Sequence, residues 1–272
     1  LPKTYILFAF AITFLATATR AAEPNAPGIY ERGEVALKDG GKIAYYIRDG
    51  KGPCLVLIPG SWSGHNVFDA MLPTLDPDLR LVIVELRGCG ESWPPTLDAS
   101  IELFAEDVLR VIDALTLKRF YIGGHSIGGM IPIEVAKRRP ESVQGAIAIE
   151  GWTHHEVQKE AFGNAPKVKE QEAKFAETRD RAKARMTKEQ FDCFASAWKR
   201  WDGLPILEST SLPVLEIWGD RGLPAPNRAT MRIPERPNIE LVWIANAAHH
   251  LPTERPKEVA DAINVFIVNI EA

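Results

Sequence analysis

Cysteine is scarce in this chain: 272 residues contain Cys54, Cys89 and Cys193 and no others. Three cysteines so widely spaced exclude a disulfide framework and a cysteine-rich zinc site. Cys54 is expected to open a buried strand. Cys89 and Cys193 are read as free thiols, with one bridge between them as the alternative in an oxidising compartment. A surplus of positive charge is also missing. Lys and Arg number 32 against 36 Asp and Glu, for a net charge of −4, which leaves no basic footprint for nucleic acid. The apolar run from Tyr5 to Leu15 is short of the roughly 20 residues that cross a bilayer as a helix.

The flanks of that run give it another meaning. Lys3 precedes it, and the small residues Ala16-Thr17-Ala18 and Ala21-Ala22 follow, the order of a secretory signal peptide over residues 1–22. The expected product is periplasmic or secreted, with no stable membrane anchor after cleavage; an uncleaved anchor is the alternative. Oligomeric state is not legible.

What is present is an alternation of apolar strand-like runs with amphipathic helical ones, the pattern of an α/β fold with a largely parallel sheet. Residues 29–37 and 42–48 read as an opening hairpin turning at Asp39-Gly40-Gly41. Leu55–Ile58, Leu81–Val84, Phe120–Ile122, Ala146–Ile149, Val214–Trp218 and Leu241–Ile244 read as strands covered on both faces. Residues 101–116 and 255–270 have helical spacing. Residues 153–210 break the rhythm with Lys, Glu, Arg, Ala and scattered aromatics. They are expected to form two or three helices between the sixth and seventh strands, a cap on a core made of 23–152 and 211–272. The charge density there reads as a solvated helix face, and His154-His155-Glu156 as a polar entry to the cap rather than a metal cluster.

The chemistry gathers at Gly124-His125-Ser126-Ile127-Gly128, a Gly-x-Ser-x-Gly segment between a strand-like and a helix-like run. Glycines at both ends let the chain turn sharply and expose Ser126, and the Ile127 N–H then faces the site as an oxyanion donor. Pro132, six residues after Ser126, predicts a short or bent helix after that turn. Together with the Glu85–Ser92 turn and the His249-His250-Leu251-Pro252 loop, the segment order resembles the α/β-hydrolase fold family over about residues 29–272.

That resemblance implies a central, mostly parallel sheet flanked by helices with an inserted helical lid, and a serine nucleophile served by a histidine and an acid. His249 takes the histidine position, His250 stands where an aromatic residue is usual, His125 is a packing residue, and His65 lies near the pocket mouth. Ser61 supplies the second oxyanion N–H by position, with Trp62 as the alternative. The usual acid position after the seventh strand is Gly222, which has no side chain. Glu150, closing the sixth strand, is therefore the expected acid, with Asp220 as the alternative. Serine at the elbow disfavours dehalogenation and epoxide hydrolysis, which use an aspartate, and suits acyl transfer to water. The expected substrate is a small ester or lactone, with no metal or cofactor required. C–C bond or amide hydrolysis by the same residues stays open, as does a hydrolase-like ligand-binding protein with little turnover.

Overall fold

The computed structural model describes residues 30–157, 169–220 and 227–272. The expected signal peptide and Gly222 lie outside the described residues, as do residues 158–168 of the expected cap.

Eight strands form one sheet in the order β1-β2-β4-β3-β5-β6-β7-β8. β1 (Glu31–Ala36) and β2 (Lys42–Arg48) make the antiparallel hairpin, with Leu37 and Gly41 bonded across the turn. β2 also runs antiparallel to β4 (Arg80–Val84). From β4 onward, β3 (Cys54–Ile58), β5 (Phe120–His125), β6 (Val143–Ile149), β7 (Val214–Gly219) and β8 (Ile239–Ile244) are parallel. The central strands are buried along nearly their whole length, as continuous apolar runs require when helices cover both faces.

Alternation along each strand divides the core in two. Val56, Ile58, Val82, Ile122 and Ala148 pack against α1 (Ile101–Ala114) and α2 (Ile127–Arg138). Leu55, Leu57, Leu81, Ile147 and Ile217 pack instead against the C-terminal α7 (Pro256–Glu271), through Val259, Ile263 and Phe266. Ser100 caps α1 by accepting the Leu103 N–H at 3.1 Å, which satisfies one of the helix's unpaired donors.

Between β6 and β7 the described residues form α3 (Lys169–Arg185), α4 (Lys188–Ser196) and α5 (Leu204–Ser209). A capping box of Thr187 and Gln190 opens α4. The segment is tied to the core where the Trp201 indole N–H meets Glu134 of α2 at 3.3 Å. His154 pairs with Asp202 in an isolated bridge, and Glu156 forms an ion pair with Arg232, so this stretch is a polar junction. A short helix α6 (Leu251–Glu254) follows the His249 loop.

α2 runs unbroken for 12 residues with Pro132 inside it. The N–H that proline lacks would have bonded the Gly128 carbonyl in the first turn, where the helix loses least. The three cysteines are free thiols. Burial pushes the Cys54 thiol up to about 11.

Candidate active site

The parallel strands all end on one edge of the sheet, and the loops that leave this edge build the site. β5 passes directly into α2 through Ser126, whose φ of 58° and ψ of −125° form a strained turn; a non-glycine residue held so costs about 1–3 kcal/mol. Gly124 and Gly128 make the turn possible by close approach. A methyl group on Gly124 would lie 2.1 Å from the Gly128 carbonyl oxygen, and one on Gly128 would lie 2.3 Å from that of Ile58. Ile127 begins α2, so its N–H belongs to the first turn, where amides have no partner within the helix.

His249 stands in the loop after β8. Its Nε2 is 3.0 Å from Ser126 Oγ and its Nδ1 is 3.2 Å from Glu150 Oε2. Glu150 follows β6 with φ of 54° and is fully buried. Its other oxygen, Oε1, accepts the Gly219 N–H at 2.7 Å. A buried carboxylate needs such partners, and here they come from the next strand and from the histidine. Asp220 accepts the Asn246 N–H at 2.7 Å, so its carboxylate braces the loop that carries His249. Arg87 holds Asp107 through two bonds of 2.8 and 2.7 Å and also pairs with Asp39.

Gly60 packs against the elbow: a methyl group there would sit 3.2 Å from Ser126 Cβ. Ser61 and Trp62 follow it. Burial pushes the Cys89 thiol up to about 12. Sequence reasoning missed the part of Gly219, whose N–H holds Glu150 Oε1, because a backbone donor carries no residue-specific signal. The Trp62 ring stacks on Phe191 of α4 at 4.7 Å and 9°, so the helices between β6 and β7 lie over this loop.

The other histidines divide by their partners. His125 is buried and its Nε2 lies 2.7 Å from the His249 carbonyl oxygen. A carbonyl only accepts, so His125 carries its proton on Nε2 and tethers the His249 loop. Burial and the neighbouring His249 and His250 hold its pKa well below 6.5. His65 stacks on Tyr46 at 3.6 Å and meets the buried Glu85 carboxylate at 3.1 Å through Nδ1. It belongs to the support of the Gly60–Gly64 loop. His250 faces Phe175 of α3, with ring centroids 5.3 Å apart.

A serine, an imidazole and a carboxylate in hydrogen-bonded line on the carboxyl edge of a parallel sheet define a class of protein. The chain belongs to the alpha/beta hydrolase family, whose family model matches residues 55–262. Over 107 residues it is 29% identical to RutD of Agrobacterium fabrum, a protein named for carbamate hydrolysis; the stretch covers 39% of this chain and 41% of that relative. The match therefore spans about two fifths of the relative's length. Among solved structures it is similar to a hydrolase from Pseudomonas aeruginosa PA01, with a TM-score of 0.70 and 23% identity over 87% of this chain and 98% of that one. It is also similar to the enol-lactonase from Burkholderia xenovorans LB400, with a TM-score of 0.70 and 19% identity over 87% and 100%. Those likenesses are of fold. The sequence expectation of an α/β-hydrolase fold, a mostly parallel sheet flanked by helices, agrees with all of this.

Proposed function

We propose that this protein is a periplasmic or secreted serine hydrolase that cleaves a carboxylic ester or lactone through an acyl-enzyme on Ser126. The observation that carries the reading is the line from Glu150 through His249 to Ser126, at 3.2 and 3.0 Å. His249 Nε2 takes the Ser126 proton as the oxygen attacks the carbonyl carbon. Glu150 accepts from Nδ1–H, fixing the tautomer and stabilising the imidazolium that forms. The N–H groups of Ile127 and Ser61 hold the oxyanion; each such donor contributes about 100- to 1,000-fold in rate. His249 then returns its proton to the leaving oxygen. Water, deprotonated by the same Nε2, next cleaves the acyl-enzyme.

The helices between β6 and β7 act in this reading as a lid, since Trp62 of the oxyanion loop is sandwiched against Phe191 and Phe194. A C–N bond is the second reading, because the relative matched over 107 residues is named for carbamate hydrolysis. It uses the same residues and differs in the leaving group.

Turnover of short 4-nitrophenyl esters, ε-lactones and aryl carbamates by the mature protein tests both readings. Expected are ester or lactone hydrolysis lost in Ser126→Ala and a fluorophosphonate adduct seen by intact mass on the wild type alone. No turnover and no adduct would leave a ligand-binding protein. N-terminal sequencing of the exported product tests cleavage after residue 18 or 22.

A further inference from the structure

A cavity of about 380 Å³ lies between the Gly60–Gly64 loop, the His249 loop and α3. Trp62 and Ser63 line it from the first, His250 from the second, and Phe175, Arg181 and Arg185 from the third. Trp62 and His250, which line it, are chain neighbours of Ser61 and His249; Ser126 and His249 themselves do not line it. Its charge is one-sided. Among the described residues no Asp or Glu lines it, although acids outnumber bases in the chain, 36 to 32.

The two arginines differ in what already holds them. Arg185 donates to the Gly90 carbonyl at 3.1 Å and lies 4.1 Å over the Trp93 ring, so it is part of the wall. Arg181 is 69% exposed and meets only Glu177 among the described residues, at 3.9 Å across one helical turn. A pair of that length between two exposed side chains contributes almost nothing. Arg181 thus brings a planar fork of donors to the wall of a cavity lined by no carboxylate among the described residues, and a carboxylate is the group whose two oxygens match that fork.

We propose that the substrate carries a carboxylate in addition to the bond that is cleaved, and that Arg181 selects it. The inference rests on the hydrolytic reading above. The negative arm occupies the cavity beneath α3 while the scissile carbonyl sits at Ser126, so neutral esters of the same size are poorer substrates. Phe175 and Trp62 supply the apolar walls along which the arm lies.

The test uses 4-nitrophenyl adipate with its second carboxyl either free or methylated, a pair of equal length that differs in one charge. The wild type should favour the free acid in kcat/KM by about 10-fold, the effect of one charge-assisted pair. In Arg181→Gln the ratio should fall to near one, and in Arg181→Glu it should invert. Arg179→Gln removes the same charge from the same helix outside the cavity and should keep the wild-type ratio. Equal rates for both esters in the wild type, or equal effects of the Arg179 and Arg181 variants, overturn the proposal. Calorimetric titration of Ser126→Ala protein with monomethyl and dimethyl adipate separates the two claims. Arg181-dependent binding of the monoanion without ester turnover in the wild type keeps the cavity and removes the hydrolytic reading. Turnover with no preference for the monoanion removes the cavity alone.

Discussion

Gly219, the last residue of β7, donates its N–H to Glu150 at the end of β6 over 2.7 Å. One carboxylate oxygen is thus fixed by the neighbouring strand, and the other is left facing His249 at 3.2 Å. Glu150→Gln keeps the shape but replaces an acceptor with a donor and unsettles the tautomer of His249. We expect kcat to fall by about 10³- to 10⁴-fold, the loss typical of amidating such an acid. Asp220→Asn should cost less than about 10-fold, because an amide oxygen still accepts from Asn246. Steady-state hydrolysis of a 4-nitrophenyl ester ranks the two, and the reverse order would sink the assignment of the acid.

His125 enters the fold neutral, with its pKa held well below 6.5 by burial and by His249 and His250. The unfolded chain binds the proton the folded chain refuses, so stability from this residue is present above about pH 6.5 and is lost as pH falls below it. His125→Gln can still donate to the His249 carbonyl but does not titrate. Urea midpoints between pH 5 and 7 should therefore slope less in the variant than in the wild type. Parallel slopes would show that His125 is not the titrating group.

Glu216 has the opposite sign. It lies in the middle of β7, fully buried, with Oε2 accepting the Trp218 indole N–H at 3.0 Å. Burial raises its pKa from 4.5 to about 8, against the lowering effects of the Trp218 bond and of Arg228, while nearby Glu150 raises it further. The folded chain holds a proton that the unfolded chain releases, so its contribution to stability declines as pH rises from about 4.5 to about 8. Glu216→Gln, neutral throughout, should gain thermal stability relative to the wild type across that interval. A melting-temperature difference that does not change with pH would contradict the protonated state.

Gly128→Ala places a methyl group 2.3 Å from the Ile58 carbonyl oxygen and 2.5 Å from that of Pro59. Both are backbone atoms and cannot swing aside, so the oxyanion loop has to shift. We expect a loss of about 1–3 kcal/mol in stability, with kcat falling more than KM changes. Denaturant unfolding and ester kinetics on the same preparation read both effects.

Most of the sheet was legible because its strands are apolar on both faces, and runs such as Leu81–Val84 admit few other readings. Glu150 was legible for a related reason: a carboxylate closing an apolar strand, with Gly222 in the usual acid position, has few purely structural explanations. Glu216 left a weaker trace, a single charge inside Val214–Trp218, and went unread because burial of a protonated acid depends on what packs above it. Arg181 left none. Among so many Lys, Glu and Arg residues it reads as one more solvated side chain, and only the packing of α3 against the loops puts it on the cavity wall. The bond from the Gly219 N–H to Glu150 was equally silent, since backbone donors have no letter in the sequence.

α2 follows directly on Ser126 and carries Glu134 two turns along, where the Trp201 indole N–H is received in a buried setting. The nucleophile and one end of the overlying helices are therefore mounted on the same rod. Swinging those helices away as a block would take the indole donor from Glu134 Oε2 at a cost of about 1 kcal/mol, while Arg138 still holds Oε1. Lifting α3 alone leaves that anchor untouched, but it breaks the Arg185 bond to the Gly90 carbonyl and its contact with Trp93, and parts the Phe175 and His250 rings. The segment over the site is thus held at both ends, by Trp201 on the helix that follows the nucleophile and by Arg185 on the turn at Gly90.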